Sequence, residues 1–201
     1  MTYQSLMKRL ASGHTVILDG GTGTELEARG VPMSESSWCG LACLTHPETV
    51  EEVHYDYIQA GAGIVTANTY ASSRLMLDLA GYGDRVDEVV AAAMGCARRA
   101  RDRAGRPDVV IAGSISHMVP LAPGSNSIVA ADPDDETMRS AFSEMAQSLK
   151  RHGADVILLE MIYHPHRARL VMEAACATGL PVWCGFSARR GSDGEVLSFS
   201  R

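Results

Sequence analysis

The chain has 201 residues, of which 46% are hydrophobic and 21% charged, and its formal net charge is −6. These values are ordinary for one soluble globular domain, and the acidic balance argues against nucleic acid or an anionic membrane as a partner, because both need a basic face. The amino terminus lacks a signal-peptide pattern, no apolar run approaches the roughly 18 residues of a membrane span, and the five cysteines form no disulfide framework. We therefore expect a cytoplasmic protein with reduced thiols.

Apolar runs alternate with amphipathic segments along the whole chain. The helix over residues 3–11 is expected to act as a floor or cap ahead of the first strand. In chain order we then predict a buried strand over 15–19, a helical turn over 24–29, a helix over 45–60, a strand over 64–70, helices over 72–80 and 85–104, a strand over 109–114, a helix over 132–152, a strand over 156–160, a helix over 164–178 and a strand over 182–187. Residues 188–201 are polar at first and become apolar at their end.

Repetition of strand, helix and strand at this spacing requires crossover connections and a parallel sheet. Two α/β architectures are open from the pattern alone: an open doubly wound sheet and a closed (β/α) barrel. A complete barrel needs eight strands and typically about 250 residues, whereas five strands are predicted here. If the fold is a barrel, about five of its eight βα units are present.

The loop after the first strand reads Asp19-Gly-Gly-Thr-Gly23. A dinucleotide-binding loop is disfavoured because Leu26 stands where the third glycine of that motif must be. A better interpretation is that Gly20 and Gly21 expose backbone amides, which could hold a carboxylate beside Asp19.

Asp19 and Glu160 both fall at carboxyl ends of predicted strands, where an α/β protein gathers its active site. Paired carboxylates can bind an ammonium group or act as acid and base; the alternative is that they cap helices or neutralise arginines. A Schiff-base enzyme is disfavoured, because Lys8 and Lys150 are the only lysines and neither is at a strand end.

The loop from 32 to 43 and the residues after it raise two further questions. Trp38 is either a core plug, which we favour, or a wall of the site. Cys39, Cys43 and His46 are residue types that bind zinc, but they lie in one stretch without a second pair of ligands, so we assign no metal site there. The loop from 114 to 132 is long enough to be a binding loop.

Several stretches in one order resemble the homocysteine S-methyltransferase family. They are Leu18-Asp-Gly-Gly-Thr-Gly-Thr-Glu-Leu-Glu-Ala-Arg-Gly30, Trp38, His46-Pro47, Tyr57-Ile-Gln-Ala-Gly61, Thr66-Ala-Asn-Thr-Tyr-Ala-Ser72 and Leu158-Leu-Glu160. The resemblance covers nearly the whole chain and implies one homocysteine-binding-like partial TIM barrel over residues 1–201. It implies transfer of a methyl group from a donor such as S-methylmethionine to homocysteine, or to a related thiol or selenol, in methionine formation.

The resemblance also implies roles for individual residues. Asp19, the Gly20 and Gly21 amides and Glu160 would hold the ammonium and carboxylate groups of the amino acid. Asn68, Thr69 and Tyr70 would line the site, and the 114–132 loop would help to choose the donor.

The family binds zinc through three cysteines, one after the sixth strand and a pair after the eighth, and none of the five cysteines here matches them. A free thiol is only about 3% thiolate at pH 7, and zinc removes that limit by binding the sulfur deprotonated. We therefore expect the amino-acid half of the site without the metal half, and self-association through an open barrel edge.

Two functions remain open from the sequence. The first is a zinc-dependent thiol methyltransferase that needs the metal ligands from elsewhere. The second is a non-catalytic remnant or amino-acid-binding protein with the same fold. A third, more distant possibility is another barrel enzyme in which Asp19 and Glu160 act as acid and base.

Overall fold

The computed structural model describes residues 3–34, 36–119 and 133–198. Its helices are α1 (Tyr3–Ala11), α2 (Thr22–Ala28), α3 (Ala42–Thr45), α4 (Pro47–Gln59), α5 (Arg74–Leu77), α6 (Val86–Arg103), α7 (Asp135–Arg151) and α8 (Pro165–Cys176), with 3-10 turns at Asp78–Ala80 and Gly83–Arg85. Its strands are β1 (Ile64–Ala67), β2 (Val110–Ser116), β3 (Val156–Ile162), β4 (Val182–Phe186), β5 (Ala188–Arg190) and β6 (Val196–Ser198). In the described ranges, no helix is both long enough and apolar enough to span a membrane.

Strands β1 to β4 form one parallel sheet in the order in which they occur along the chain. A doubly wound sheet would reverse its strand order at a switch point, and this sheet does not. Each strand instead lies beside the preceding one and is linked to it through helices, which is the winding of a TIM barrel. The described residues form part of such a ring.

The predicted first strand, residues 15–19, is corrected to a single parallel bridge between Leu18 and Ile64. Two hydrogen bonds hold the segment beside β1: the Gly63 N–H donates to the Ile17 carbonyl at 2.9 Å, and the Asp19 N–H donates to the Ile64 carbonyl at 3.1 Å. The segment was expected to be buried, yet Ile17 is 57% exposed. Among the residues that the structure describes, the segment pairs on one side only, so it forms an edge of the sheet there.

Alternation along the strands separates an outer face from an inner face. Outward side chains such as Val65, Ile111 and Ile157 are buried in a large cluster with helices α6, α7 and α8. On the inner face, Ile64, Val110, Ala112, Val156 and Leu158 pack with Leu6 of α1. Helix α1 therefore covers the inner face near the strand amino ends, as predicted.

Farther along the same strands the inner face becomes polar. Thr66 follows Ile64 at the next inward position of β1, and Ser114 and Ser116 follow Ala112 on β2. Glu160 takes the equivalent place after Leu158 on β3. The apolar side chains fill one end of the partial ring, and the polar ones gather at the carboxyl end.

Helix boundaries differ from the predictions at two amino-terminal caps. Thr45, the predicted first residue of the helix over 45–60, instead ends α3, where its hydroxyl donates to the Leu41 carbonyl at 3.2 Å, and α4 begins at Pro47. Helix α7 begins at Asp135, because the Asp134 carboxylate accepts the Thr137 N–H at 2.7 Å. Asp132, the predicted start, lies outside the described residues.

The segment after β4 forms an antiparallel hairpin from β5 and β6 that the sequence did not predict. The segment is polar at first and gives no clear strand pattern in the sequence, yet Ala188 pairs with Ser198 and Arg190 pairs with Val196. Phe199, the end of the apolar stretch, lies outside the described residues.

Candidate active site

A cavity of about 490 Å³ opens at the carboxyl ends of the strands. Six of the seven predicted site residues line it: Asp19, Gly20, Gly21, Asn68, Tyr70 and Glu160. Thr69 does not line it. The carboxylates of Asp19 and Glu160, which are 141 positions apart in the chain, therefore face one space, as the paired-carboxylate hypothesis requires.

Asp19 is held against the end of β1 by Thr66. Its Oδ2 accepts the Thr66 backbone N–H at 2.6 Å, and its Oδ1 accepts the Thr66 hydroxyl at 2.9 Å. Burial raises the pKa of Asp19 to about 6, although both bonds from Thr66 oppose the rise, and repulsion from Glu160 adds to it. The carboxyl group is thus positioned firmly but is costly to ionise without a cation nearby.

Glu160 projects from a β-bulge in β3. The register with β4 shifts between Leu159 and Ile162, and Met161 in the bulge has φ +56°. Burial raises the pKa of Glu160, and a hydrogen bond from the Ser114 hydroxyl lowers it. Bulges re-aim side chains next to active sites, and this one accompanies the placement of Met161 in the cavity lining beside Glu160.

Two partly buried carboxylates of raised pKa in one cavity form a site for a positive charge. A ligand ammonium group would favour the ionised form of both Asp19 and Glu160 and remove the repulsion between them. Without such a partner, Asp19 keeps its proton up to about pH 6. The arrangement can bind a cation, or exchange a proton with a ligand near pH 6.

The loop at Gly20 and Gly21 supplies hydrogen-bond donors, which suit a negatively charged ligand group, whereas the two carboxylates suit a positively charged one. Within the described residues, the N–H groups of Gly20 and Gly21 donate no hydrogen bond, whereas the Gly21 carbonyl accepts from the Glu25 N–H at 3.2 Å. A Cβ on Gly20 would lie 2.7 Å from the Tyr57 hydroxyl oxygen. A side chain at this position would push the Tyr57 ring aside, whereas glycine leaves backbone amides open at the cavity edge.

Asn68 is buried and forms hydrogen bonds with the segment that carries the Cys39 and Cys43 thiols. Its side-chain amide donates to the Cys39 carbonyl at 2.9 Å, and its Oδ1 accepts from the Cys39 thiol at 3.2 Å. Burial raises the pKa of Cys39 to about 12, and a hydrogen bond with Cys96 together with burial keeps the pKa of Cys43 well above its usual value. These thiols are held protonated as packing and hydrogen-bonding groups.

A zinc ion does not fit this donor set. The Cys39 thiol donates to Asn68 Oδ1 at 3.2 Å and the Cys43 thiol donates to the Asn68 carbonyl at 3.8 Å, so both sulfurs already have protein partners. The Nδ1 of His46 lies 2.9 Å from the Thr45 hydroxyl oxygen. Over residues 3–34, 36–119 and 133–198, no three His, Cys, Asp or Glu side chains are grouped as a metal site.

Trp38 is a wall of the cavity, which corrects the prediction of a core plug. It is 36% exposed, and its ring meets Tyr70 edge-on with centroids 6.1 Å apart. Burial raises the pKa of Tyr70 to about 12, so its hydroxyl stays protonated and can donate a hydrogen bond. A Cβ on Gly23 would lie 2.4 Å from the Trp38 ring, which explains the glycine inside α2.

Thr69 lies behind the cavity lining, and several residues that the sequence did not predict also belong to the site. Thr69 is fully buried, and its hydroxyl bonds to the backbone of Ser114 on β2. Thr66 and Ser114 could have been found from strand alternation, since each lies two residues after an inward apolar residue. Met161 lines the cavity because of a bulge, for which the sequence carries no signal.

Comparison with known proteins places this geometry in a family. The family model described as homocysteine S-methyltransferase matches residues 16–198. Similar curated proteins include homocysteine S-methyltransferase 4 of Zea mays, 26% identical over 90% of this chain and 57% of its own length, and selenocysteine Se-methyltransferase of Brassica oleracea var. italica, 27% identical over 94% and 61%.

The solved structure of the homocysteine methyltransferase MmuM from Escherichia coli, in its oxidized form, is similar with a TM-score of 0.78. It is 26% identical, and the match covers 94% of this chain and 69% of that one. The incomplete TIM-barrel fold predicted from the sequence is confirmed. The chain spans 57% to 61% of the length of the two curated relatives.

Proposed function

We propose that this chain, which belongs to the homocysteine S-methyltransferase family, uses the cavity between Asp19 and Glu160 to hold the amino-acid end of a methyl acceptor. The acceptor is homocysteine or a related thiol or selenol, and the donor is a methylated compound such as S-methylmethionine. Residues 1–201 act as one homocysteine-binding-like domain. The family membership and the geometry of the cavity support this proposal.

The observation that carries the proposal is that the Asp19 and Glu160 carboxylates face one cavity. An α-ammonium group between them would be bound by two opposite charges. The α-carboxylate would then lie against the N–H groups of Gly20 and Gly21, which provide hydrogen bonds without a repelling side chain. The two ends of an amino acid are thus matched by two different parts of the site.

The aromatic and sulfur side chains would surround the rest of the ligand. Trp38, Tyr70 and Met161 line the same cavity and offer apolar and polarisable surface to a thioalkyl side chain. Methyl transfer breaks the bond from the methyl carbon to the donor atom, forms a bond from that carbon to the acceptor sulfur, and releases the thiol proton. The part that the described residues perform is to bind and orient the acceptor.

Zinc is expected for the family, but the described residues do not fit it. A metal that activates the acceptor sulfur would need ligands other than Cys39 and Cys43. The described chain accordingly accounts for recognition of the amino acid and not for deprotonation of its thiol.

The test is isothermal titration calorimetry of the chain with L-homocysteine and two analogues. One analogue, 3-mercaptopropan-1-amine, lacks the carboxylate; the other, 4-mercaptobutanoate, lacks the ammonium group. Loss of the ammonium should weaken binding more, because it meets two carboxylates, and the Glu160→Gln variant should erase much of that difference. Equal affinity for the two analogues, or no binding of homocysteine, would overturn the assignment.

A methyl-transfer assay with S-methylmethionine, run with and without added zinc, then separates binding from turnover. Formation of methionine would establish the activity in this chain. Zinc-independent binding of homocysteine without methyl transfer would favour the amino-acid-binding alternative.

The two edges of the sheet are the basis of a second, separate proposal, that the chain self-associates. In the described part of the chain, the segment at Ile17 and Leu18 forms one edge of the parallel sheet and β4 forms the other. Ile17 and Leu18 are exposed, as is Phe186 at the end of β4. Exposed strand edges with apolar side chains favour pairing with another chain.

A further inference from the structure

The Thr69 hydroxyl occupies a position that a strand backbone would otherwise fill. Strand β1 ends at Ala67, whose register partner on β2 is Gly113. One residue farther along β2, the Ser114 N–H donates to the Thr69 hydroxyl oxygen at 3.0 Å, and that hydroxyl donates to the Ser114 carbonyl at 2.8 Å. A single side chain thus satisfies both backbone groups of Ser114 beyond the end of the ladder.

This bridge fixes the backbone from which the Ser114 side chain projects. Thr69 and Ser114 are both fully buried, so the hydrogen bonds between them do not compete with water. Ser114 lies on the inner face of β2, and its register partner on β3 is Leu158, two residues before Glu160. From there its hydroxyl donates to Glu160 Oε1. The chain of contacts runs from Thr69 through Ser114 to the carboxylate in the cavity.

We propose that Thr69 and Ser114 are positioning residues that hold the Glu160 carboxylate toward the ammonium group of the ligand. Neither residue lines the cavity, and both act through Glu160. The inference rests on the proposed function for the identity of the ligand, but the arrangement of Glu160 can be measured without any ligand. It also gives Thr69, which the family resemblance placed in the lining, a role one layer behind it.

Loss of the Ser114 hydroxyl has a definite electrostatic consequence. A hydrogen bond to the ionised form of a carboxyl group lowers its pKa, so Ser114→Ala should raise the pKa of Glu160 further. Asp19 and Tyr70 also interact electrostatically with Glu160, and their ionisation must be followed in the same experiment. A purely structural serine would not change this titration.

The first measurement is an NMR titration of the Glu160 side-chain carboxyl carbon in the ligand-free protein, assigned with Glu160→Gln. Ser114→Ala and Thr69→Val should both move the midpoint upward, and Thr69→Ser, which keeps the bridging hydroxyl, should restore it. Ser148→Ala is the matched control, because Ser148 is a fully buried serine whose hydroxyl donates to Asp87 at 2.6 Å, outside the cavity.

The second measurement is the affinity for L-homocysteine at pH 6. Ser114→Ala should weaken binding about tenfold, since a hydrogen bond to a charged group is lost, and Thr69→Val should weaken it about threefold or more for the same reason acting indirectly. Thr69→Ser and Ser148→Ala should bind within about twofold of the unchanged protein.

The outcomes separate the two proposals. If Glu160 titrates identically in Ser114→Ala and in the unchanged protein, the positioning role is overturned whatever the ligand does. If the titration moves as expected but no variant or parent binds homocysteine, the positioning role stands and the proposed function fails. Should Thr69→Val not fold, Ser114→Ala with Thr69→Ser still decides the matter, because neither removes the backbone bridge.

Discussion

Replacing Asp19 by asparagine should change how the stability of the ligand-free protein depends on pH. The asparagine amide can preserve both contacts, since its oxygen can accept the Thr66 N–H and its NH₂ can donate to the Thr66 hydroxyl. What it removes is the ionisation of a buried carboxyl group whose pKa stands at about 6 in place of the usual 3.8. At 1.36 kcal/mol per pH unit, this displacement corresponds to about 3 kcal/mol.

The sign follows from which state binds the proton more tightly. Between pH 3.8 and about 6 the folded protein holds a proton on Asp19 that the unfolded chain has lost, so this group's contribution to the free energy of unfolding falls as the pH rises. In Asp19→Asn the free energy of unfolding does not fall for this reason, because residue 19 no longer ionises. The stability of the variant relative to the parent should therefore rise by about 3 kcal/mol from below pH 3.8 to above pH 6.

The informative quantity is the difference in the free energy of unfolding between Asp19→Asn and the parent. Other buried groups have the opposite effect on stability to that of Asp19 over the same pH range. Burial lowers the pKa of His54 and of His117 to about 4, and both make the folded state less stable as the pH falls below 6.5. Both proteins contain these histidines, so their effect cancels in the comparison.

The assay is urea unfolding of both proteins at half-unit steps from pH 3.5 to pH 8, followed by circular dichroism. Asp102→Asn on α6, where the side chain is 70% exposed, controls for the loss of a carboxylate on the surface. A difference between Asp19→Asn and the parent that stays flat between pH 4 and pH 7 would refute the account of a desolvated carboxyl group at this position.

Three further changes test other features. Gly23→Ala, which brings a Cβ within 2.4 Å of the Trp38 ring, should destabilise the fold by about 1–3 kcal/mol and shift tryptophan fluorescence, whereas Gly95→Ala in α6, facing only the flexible end of Arg99, should be neutral or stabilising by up to about 1 kcal/mol; equal effects would contradict the packing argument. His54→Leu should gain about 3 kcal/mol of stability relative to the parent as the pH falls from 6.5 to 4, because neither buried ring nitrogen of His54 has a partner in the described residues; a pH-independent difference in urea unfolding would oppose this. Phe186→Glu should reduce any concentration-dependent association measured by sedimentation velocity, whereas Leu79→Glu, at a position equally exposed on a 3-10 turn, should not; association unchanged by Phe186→Glu would argue against this edge as the contact.

The parallel sheet can be predicted from the sequence because each strand is recognisable from its own residues. Runs such as Val156-Ile-Leu-Leu159 are apolar on both faces, which is typical of a parallel strand covered on both sides. Asp19 and Glu160 were also predictable as partners in one cavity, because parallel strands bring their carboxyl ends to the same edge. The family resemblance added the order of motifs that distinguishes a barrel from a doubly wound sheet.

The features that could not be predicted from the sequence depend on which segments lie beside one another in the folded chain. Residues 15–19 have the composition of an interior strand, but within the described residues they are joined to β1 by a single bridge and two backbone hydrogen bonds and pair with no strand on their other side. The direction of the Thr69 side chain could not be predicted either, since β1 ends at Ala67 and strand alternation does not extend past that point. Trp38 was expected in the core on size alone, and its place beside the cavity depends on the absence of a side chain at Gly23.

Backbone strain in the described residues is concentrated at the cavity, and this supports a functional reason for its shape. Two residues other than glycine have positive φ there, Trp38 at +47° and Met161 at +56°, and both line the cavity. Each such conformation costs of order 1–3 kcal/mol and persists only where the surrounding structure enforces it. Trp38 is enforced by its antiparallel bridge to Ser34, and Met161 by the bulge in β3. Glycine would adopt either conformation without that steric cost, so we propose that the Trp38 and Met161 side chains, which both line the cavity, contribute contacts to the ligand.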